Sequence, residues 1–597
     1  MERPPTYTYE FDGFRVDPGK RLFYGRDGRP VGLTPKVFDT LMYLVEHHGV
    51  VLAKEELMRA VWAEATVEEN NLNQCISVLR RVLGEKRGAP HYIATVPGRG
   101  YRFIASVNKR RAQVIESTGE TIRSIAVLPF QPLVRKNRDE SLEMGMADTL
   151  IARLSGIRDI IVRPMSSVRK YSDLNQNVLA AGRELAVDSV LEGSLQHHGN
   201  RVRVTVRLLN VSNGASLWAG TFDDEMTDIF ALQDAISERV VQALSLELST
   251  EDRKRLVKHH TQNTRAYEFY LKGRYHWWNN SPEQYKKSRD YFHRAVDEDP
   301  SYALGYCGLN SFYGYGAAWG ILPPEEAWPK AEWAVTKALE LDDQLAEAHL
   351  ELAALRMVRY LDWTGTEREA KRTIELGPGF DEIHYAYSFF LVVMRRFREA
   401  IAEGKRALRC NPFSLRISQH LGYALYCARR YDEAIQQYQK AIELDHNEAS
   451  VHEALGDAYE RTGRYQDATE QWKKAMLLSN EGELVATMGT PKQRRAFGNV
   501  VRAIAANRLH RLQRNRNNGV YVPAIKFVRE HLRLGDSEEA LKWLTLAVEE
   551  RNVYSLLIGS DPLYDPLHAD QRFSKLLRRM KLDANLVNSF RTLEING

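Results

Sequence analysis

The side chains of this 597-residue chain best suited to act on a ligand lie between positions 70 and 102. In TVEENNLNQCISVLRRVLG (66–84), helical spacing puts Leu72, Ile76, Leu79 and Leu83 on one stripe, with Asn70, Gln74, Ser77 and Arg81 opposite and Asn73 and Arg80 beside them. Asn and Gln can pair with adenine edges, and Arg with guanine or phosphate, so the outer face carries the groups that major-groove readout needs. A solvated helix would display a similar face, and the neighbouring elements decide between the two.

Those neighbours form an ordered set. Thr66 and Glu69 make a capping box, which starts the helix at about Val67. Upstream, Thr34 and Pro35 supply an N-cap and a first-turn proline, and Phe38, Leu41, Met42 and Val45 repeat at helical spacing as far as Gly49. A shorter helix from Lys54 to Trp62 buries Leu57 and Val61. Downstream, His91 to Ala105 alternates around Pro97-Gly98-Arg99-Gly100, a hairpin with Arg99 at its tip and Arg102 on its second strand. Helix, helix, reading helix and basic hairpin in that order predict a winged helix-turn-helix.

Charge is distributed as a DNA-facing surface requires. Residues 80–111 hold nine basic side chains, among them Lys86 and Arg87, and one acid, Glu85. Residues 38–69 hold two basic and seven acidic side chains. The first group suits phosphate, and the second should face away, free for a protein partner such as RNA polymerase.

Residues 7–107 resemble the DNA-binding effector domain of the OmpR/PhoB class of regulators, on the strength of an amino-terminal strand meander, LTPKVFDTLMYLVEHHG, VEENNL, LRRVLG and TVPGRGYRF. The resemblance implies a recognition helix in the major groove, carrying Asn70, Gln74, Ser77, Val78, Arg80 and Arg81, and a wing in the minor groove carrying Thr95, Arg99 and Arg102. Two positions depart from the class: Val78 is apolar, able only to touch a thymine methyl, and Pro97 stands at a wing position that is often basic. Members of the class carry a receiver domain ahead of the winged helix. Here it begins within ten residues of Met1, so control is expected from the residues behind it or from changes in protein abundance.

The composition, 44% hydrophobic and 27% charged with a net charge of +5, is that of a globular chain in which any nucleic-acid affinity is local. Four cysteines without metal or disulfide spacing, no apolar leader, and a longest apolar run of six residues (Phe389–Met394) predict a cytoplasmic protein with no membrane contact. After a polar linker at 108–123, residues 124–246 read as an α/β domain: SIAVLPF, a helix through Ala147 and Leu154, DIIVRP, hairpins turning at His198-Gly199-Asn200 and Asn213-Gly214, and a helix from Glu225 to Leu246. This stretch resembles TolB-like modules, and His197 and His198 read as turn residues without a third metal partner.

From 265 to 483 a period of 34 shows in four columns, Arg396/Arg430/Arg464, Phe397/Tyr431/Tyr465, Ala400/Ala434/Ala468 and Ala407/Ala441/Ala475, which resembles tetratricopeptide repeats. Residues 484–519 hold eight basic residues and no acid, and 520–597 read as late repeat-like helices and a tail. The predicted fold is therefore multidomain α+β: an N-terminal winged helix-turn-helix, a middle α/β TolB-like domain and a C-terminal all-α solenoid. No phosphate-binding loop, zinc-protease or nucleophile-elbow motif occurs, and no catalytic, cofactor or metal residue is expected. The expected function is sequence-specific, double-stranded DNA binding by a bacterial one-component regulator, with a protein partner in the repeat groove and homodimerisation as further contacts. The alternative is a cytoplasmic scaffold whose winged helix binds protein.

Overall fold

Inward-facing Tyr9, Phe11, Phe14, Val16 and Phe23 alternate with polar neighbours, and this pattern pairs the first residues into an antiparallel meander. Its strands are β1 (Tyr7–Phe11), β2 (Phe14–Asp17), β3 (Leu22–Tyr24) and β4 (Pro30–Val31). In this computed structural model the chain divides into two units, Met1–Thr121 and Ile122–Gly597. The residues described are 7–111, except 19–21, 27–29, 32, 34, 62–68 and 86–89, and 123–583, except 133–138, 158–159, 173–176, 199–200, 226–228, 245–259, 279–281, 320, 486–488 and 490–492.

In the first unit, α1 (Pro35–Glu46), β5 (Val51–Leu52), α2 (Lys54–Val61) and α3 (Glu69–Val82) follow, then β6 (Ile93–Val96), β7 (Gly100–Phe103) and β8 (Asn108–Arg111). Proline's fixed φ suits the first position of α1, whose Phe38, Leu41, Leu44 and Val45 are buried. The expected stripe Leu72, Ile76, Leu79 and Leu83 is buried in the same core. Trp62 and the capping box at Thr66 lie outside the described residues. The linker expected from 108 begins later: Asn108–Arg111 pairs antiparallel with β1, giving the sheet order β4-β3-β2-β1-β8. A charged edge strand needs little apolar patterning, which hides NKRR from a periodicity reading.

The second unit opens with β9 (Ser124–Val127), wholly buried as a central parallel strand should be. It lies between β11 (Ile161–Val162) and β12 (Ser189–His198), both parallel to it. Antiparallel strands β13 (Arg201–Asn210) and β14 (Ser216–Glu225) complete the path, while β10 (Gln131–Pro132) pairs with β12. Helices α4 (Glu140–Ser155), α5 (Met165–Val168), α6 (Val178–Glu184) and α7 (Ile229–Ala243) accompany the sheet. Both expected hairpins form, although the helix expected from Glu225 starts at Ile229, because Glu225 closes β14 opposite Arg201. His197 and His198 end β12, and their side chains lie outside the described residues.

Six helix pairs run from Thr264 to Leu478 among the described residues. The alanine columns sit where the helices touch: Ala400, Ala407, Ala434, Ala441 and Ala468 are at 0% exposure. A side chain at Gly422 would start 2.5 Å from the Tyr438 ring, so only glycine lets that pair close. The arginine column has a local reason. Arg396, Arg430 and Arg464 precede the second helix of their pairs and donate to Glu399, Glu433 and Asp467 at 2.7, 2.6 and 2.7 Å.

Beyond the repeats come Arg494–Asn517, Ala524–Leu534 and Ser537–Glu550. The last described residues fold back on the repeats: Ser560 donates to the Val392 carbonyl at 2.6 Å, Tyr423 to Asp561 at 2.8 Å, and Trp363 to the Met580 carbonyl at 3.2 Å. The α/β layer is joined to the repeats through Arg163. Its buried guanidinium donates to the Leu185 and Ala186 carbonyls on one side and to the Arg409 and Cys410 carbonyls on the other, at 2.8 to 3.0 Å. Among the described residues no helix is long and apolar enough to cross a membrane. Cys75, Cys307 and Cys427 are buried free thiols and Cys410 is half-buried.

Candidate nucleic-acid interface

The outer face of α3 takes its direction from the buried stripe beneath it. With Leu72, Ile76 and Leu79 at 2% exposure or less, Asn73, Gln74, Ser77 and Arg81 are exposed on the other side. The side chain of Asn70 lies outside the described residues, as do Lys86 and Arg87. Val78 is half-buried and packs against the core, so it belongs to the edge of the stripe more than to the reading face.

The wing stands beside α3 because β7 pairs with both β6 and β5. Gly100 makes that possible: it has φ +136°, and a side chain there would lie 2.0 Å from the Leu52 carbonyl oxygen. The hairpin tip exposes Pro97 and Arg99, and Thr95 and Arg102 are exposed on its strands. Gln74, Ser77 and Arg81 on α3 and Arg99 and Arg102 on the wing are thus exposed, and the three arginines make no ion pair among the described residues.

Three polar residues hold this surface in place. Arg80 donates to the Ile93 carbonyl at 2.8 Å and to the Thr95 hydroxyl at 2.7 Å, bracing α3 against the wing. Asn73 is half committed as well, since Tyr101 donates its hydroxyl to the amide oxygen at 2.7 Å. Glu85, the one acid of the basic stretch, accepts from the backbone N–H groups of His91 and Ile93 at 3.0 and 2.8 Å and from that of Tyr92, and lies 3.4 Å from Arg80. The side chain of Glu85 is only 3% exposed. The sequence signal for this hub was present: a lone carboxylate amid nine cations is placed for structure, because a DNA-facing one would repel phosphate. On the far side, Tyr92 and Arg26 converge on Asp12, and their hydrogen bonds hold its carboxyl below the usual range. Burial pushes the Tyr92 phenol up. This group ties the meander to the start of the wing.

Comparison with known proteins bears on both units. The family of the C-terminal domain of transcriptional regulatory proteins matches residues 28–103, the second domain of HilA/YgeH-like transcriptional regulators matches 121–239, and the TPR repeat matches 422–463. A protein of Rhizobium meliloti named as an adenylate cyclase is 28% identical over 242 residues, 40% of this chain and 41% of that protein. The transcriptional regulator HilA of Salmonella typhimurium is 25% identical over 66% of this chain and 68% of its own length. The transcriptional activator CadC of Escherichia coli is 40% identical over 125 residues, 21% of this chain and 24% of CadC. The chain therefore spans less than half of the first of these relatives. It carries a DNA-binding domain of the transcriptional-regulator type, a HilA-like second domain and TPR repeats.

Proposed function

We propose that the chain is a sequence-specific, double-stranded-DNA-binding transcription regulator, not an enzyme, acting in the cytoplasm. Gln74, Ser77 and Arg81 read the major groove, and Arg99 and Arg102 reach the backbone or minor groove, with Asn70, Lys86 and Arg87 as further contacts. Arg80, Thr95 and Asn73 act mainly by holding that surface. The observation that carries this reading is that α3 and the wing, braced together by Arg80, both expose amide or guanidinium groups that make no ion pair among the described residues. After the head in the chain, a TolB-like α/β layer at about 124–246 and repeats from 265 onward receive the regulatory input. Contacts with RNA polymerase and a second copy of the chain belong to the same proposal.

The test is fluorescence anisotropy of the full chain on a duplex chosen by selection from random sequence. Arg81→Ala and Arg99→Ala should each weaken binding by about 1 to 3 kcal/mol and relax sequence preference if the side chain contacts a base. Full affinity and selectivity in the double variant would favour a scaffold whose winged helix binds protein.

A further inference from the structure

Between Glu483 and Glu530 the chain has no acidic residue, and most of this stretch forms the helix Arg494–Asn517. At 24 residues this helix is about 36 Å long, against 13 or 14 residues for the helices of the repeats just before it. One side is fixed in the fold: Phe497, Val501, Ile504 and Ala505 are buried, and Phe497 stacks on Trp472 at 5.3 Å.

The arginines of this helix divide into two sets. Arg508 is neutralised within the fold, 2.6 Å from Glu453 and 3.1 Å from Glu481, and Arg511 also pairs with Glu481. Arg494, Arg495, Arg502 and Arg514 are exposed and pair with no carboxylate among the described residues; Arg502 meets only the amide oxygen of Asn499, at 2.6 Å. Arg495 and Arg502, seven residues apart, fall on one side of the helix about 10 Å from each other, with Arg494 next to them. A solenoid that neutralises its inner arginines has carboxylates to offer, and none is offered here.

The geometry points to a second, sequence-independent DNA contact: Arg494, Arg495 and Arg502 grip the phosphate backbone of a duplex outside the bases that the winged helix reads. Charge complementarity selects the occupant. A duplex carries about one negative charge per 1.7 Å of axis, so rigid cations 10 Å apart each find a phosphate, and each neutralised phosphate adds affinity by counterion release. DNA held by the head is kept at high local concentration for the rest of the same chain, so a weak contact suffices. This inference rests on the reading of the head as a DNA binder.

The experiment compares the full chain with its Arg494→Ala/Arg495→Ala/Arg502→Ala variant by anisotropy over a salt series. One duplex is trimmed to the recognition site and the other extended to about 40 base pairs. On the long duplex the variant should lose about tenfold in affinity at low salt, and its slope of log K against log salt should be shallower by about 2 to 3. On the trimmed duplex the two proteins should agree. Arg508→Gln serves as the folding control, because it breaks an internal ion pair and should lower the melting temperature while leaving the slope alone. Equal slopes and affinities on the long duplex overturn the inference, as does tighter binding by the variant, which would mean that this face docks on acids of the chain itself. If Arg81→Ala/Arg99→Ala abolishes selectivity while the triple variant changes nothing, this contact fails and the DNA-binding reading stands. If the unaltered chain ignores DNA, both fall.

Discussion

The reading head and the repeats use the same side chain in opposite ways. Arg81, Arg99 and Arg102 of the head are exposed and pair with no carboxylate among the described residues, whereas Arg396 of the repeats and Arg508, Arg529 and Arg533 of the helices that follow them are each held by one or more acids. An exposed ion pair contributes little, but guanidiniums removed from water must be paired or they destabilise the fold. The solenoid therefore stabilises itself with its cations, and the head keeps its own available to an outside anion. Arg80 with Glu85, like Arg26 with Asp12, is an exception in the head. They follow the solenoid's rule, and their effect is to fix the geometry of the free ones.

The largest effect that contrast predicts lies in the repeats. Glu453 meets Arg508 at 2.6 Å, Arg529 at 3.2 Å and Arg533 at 3.5 Å. Burial opposes its charge, yet these three guanidiniums outweigh that and hold its carboxyl far below the usual range. Glu453→Ala leaves the cluster short of an anion and should cost about 3 kcal/mol or more, seen as a lower urea midpoint. Because the carboxyl is depressed in the folded state, its contribution is present above the ordinary carboxylate range, shrinks as pH drops below that range and is lost as pH falls through the depressed folded value. A midpoint that Glu453→Ala does not move would remove the repeats from the comparison.

Next in size is the joint between the α/β layer and the repeats. Arg163→Ala deletes donors to four backbone carbonyls in a buried setting and should cost about 2 to 4 kcal/mol. Hydrogen exchange should then quicken at Leu185 to Val187 and near Cys410 together. Faster exchange on one side only would mean that the two layers are not held as one unit by this residue.

A sharper test sits within a single pair of neighbours. Arg81→Ala should weaken DNA binding by about 1 to 3 kcal/mol with little change in melting. Arg80→Ala removes the brace to Ile93 and Thr95, so it should lower the melting temperature of the head, at about 1 kcal/mol, and weaken binding to all sequences alike. The reverse pattern would exchange their roles.

How far the sequence discloses these roles depends on whether a residue's partner is near it in the chain. The buried stripe of α3, the alanine columns and the glycine-bearing wing follow from periods of 3.6, 34 and 2, which are local, and all are found in place. Arg80 and Arg81 are adjacent and chemically identical, and only the position of β6, 13 residues away, separates them. Arg163 is more distant still: its repeat partners lie 246 and 247 residues downstream, and no spacing rule reaches that far. β8 is hidden in the sequence for a different reason, since an edge strand made of Asn, Lys and Arg has the composition of a linker. Glu225 closing a strand, where a helix was expected to begin, is a boundary set by its cross-strand partner Arg201.

The smallest effect concerns a carboxylate that pairs with no cation among the described residues. Glu351 lies among three successive first helices, taking a hydrogen bond from Ser311 and facing the charge of Glu382, and burial pushes its pKa up to about 7. A carboxyl that is raised in the folded state binds its proton more tightly there than in the unfolded chain. Its contribution is therefore complete below the ordinary value of 4.5 and is lost as pH rises through about 7. Glu351→Gln mimics the protonated form permanently. It should leave stability near pH 5 almost unchanged and raise it at pH 8 by about 1 to 2 kcal/mol, a figure reduced from the full shift to allow for water reaching the groove. Urea denaturation of the two proteins at both pH values measures the difference. Equal stabilities at pH 8 would show that Glu351 ionises there without penalty, and that this wall of the solenoid, like the outer face of α3, is open to water.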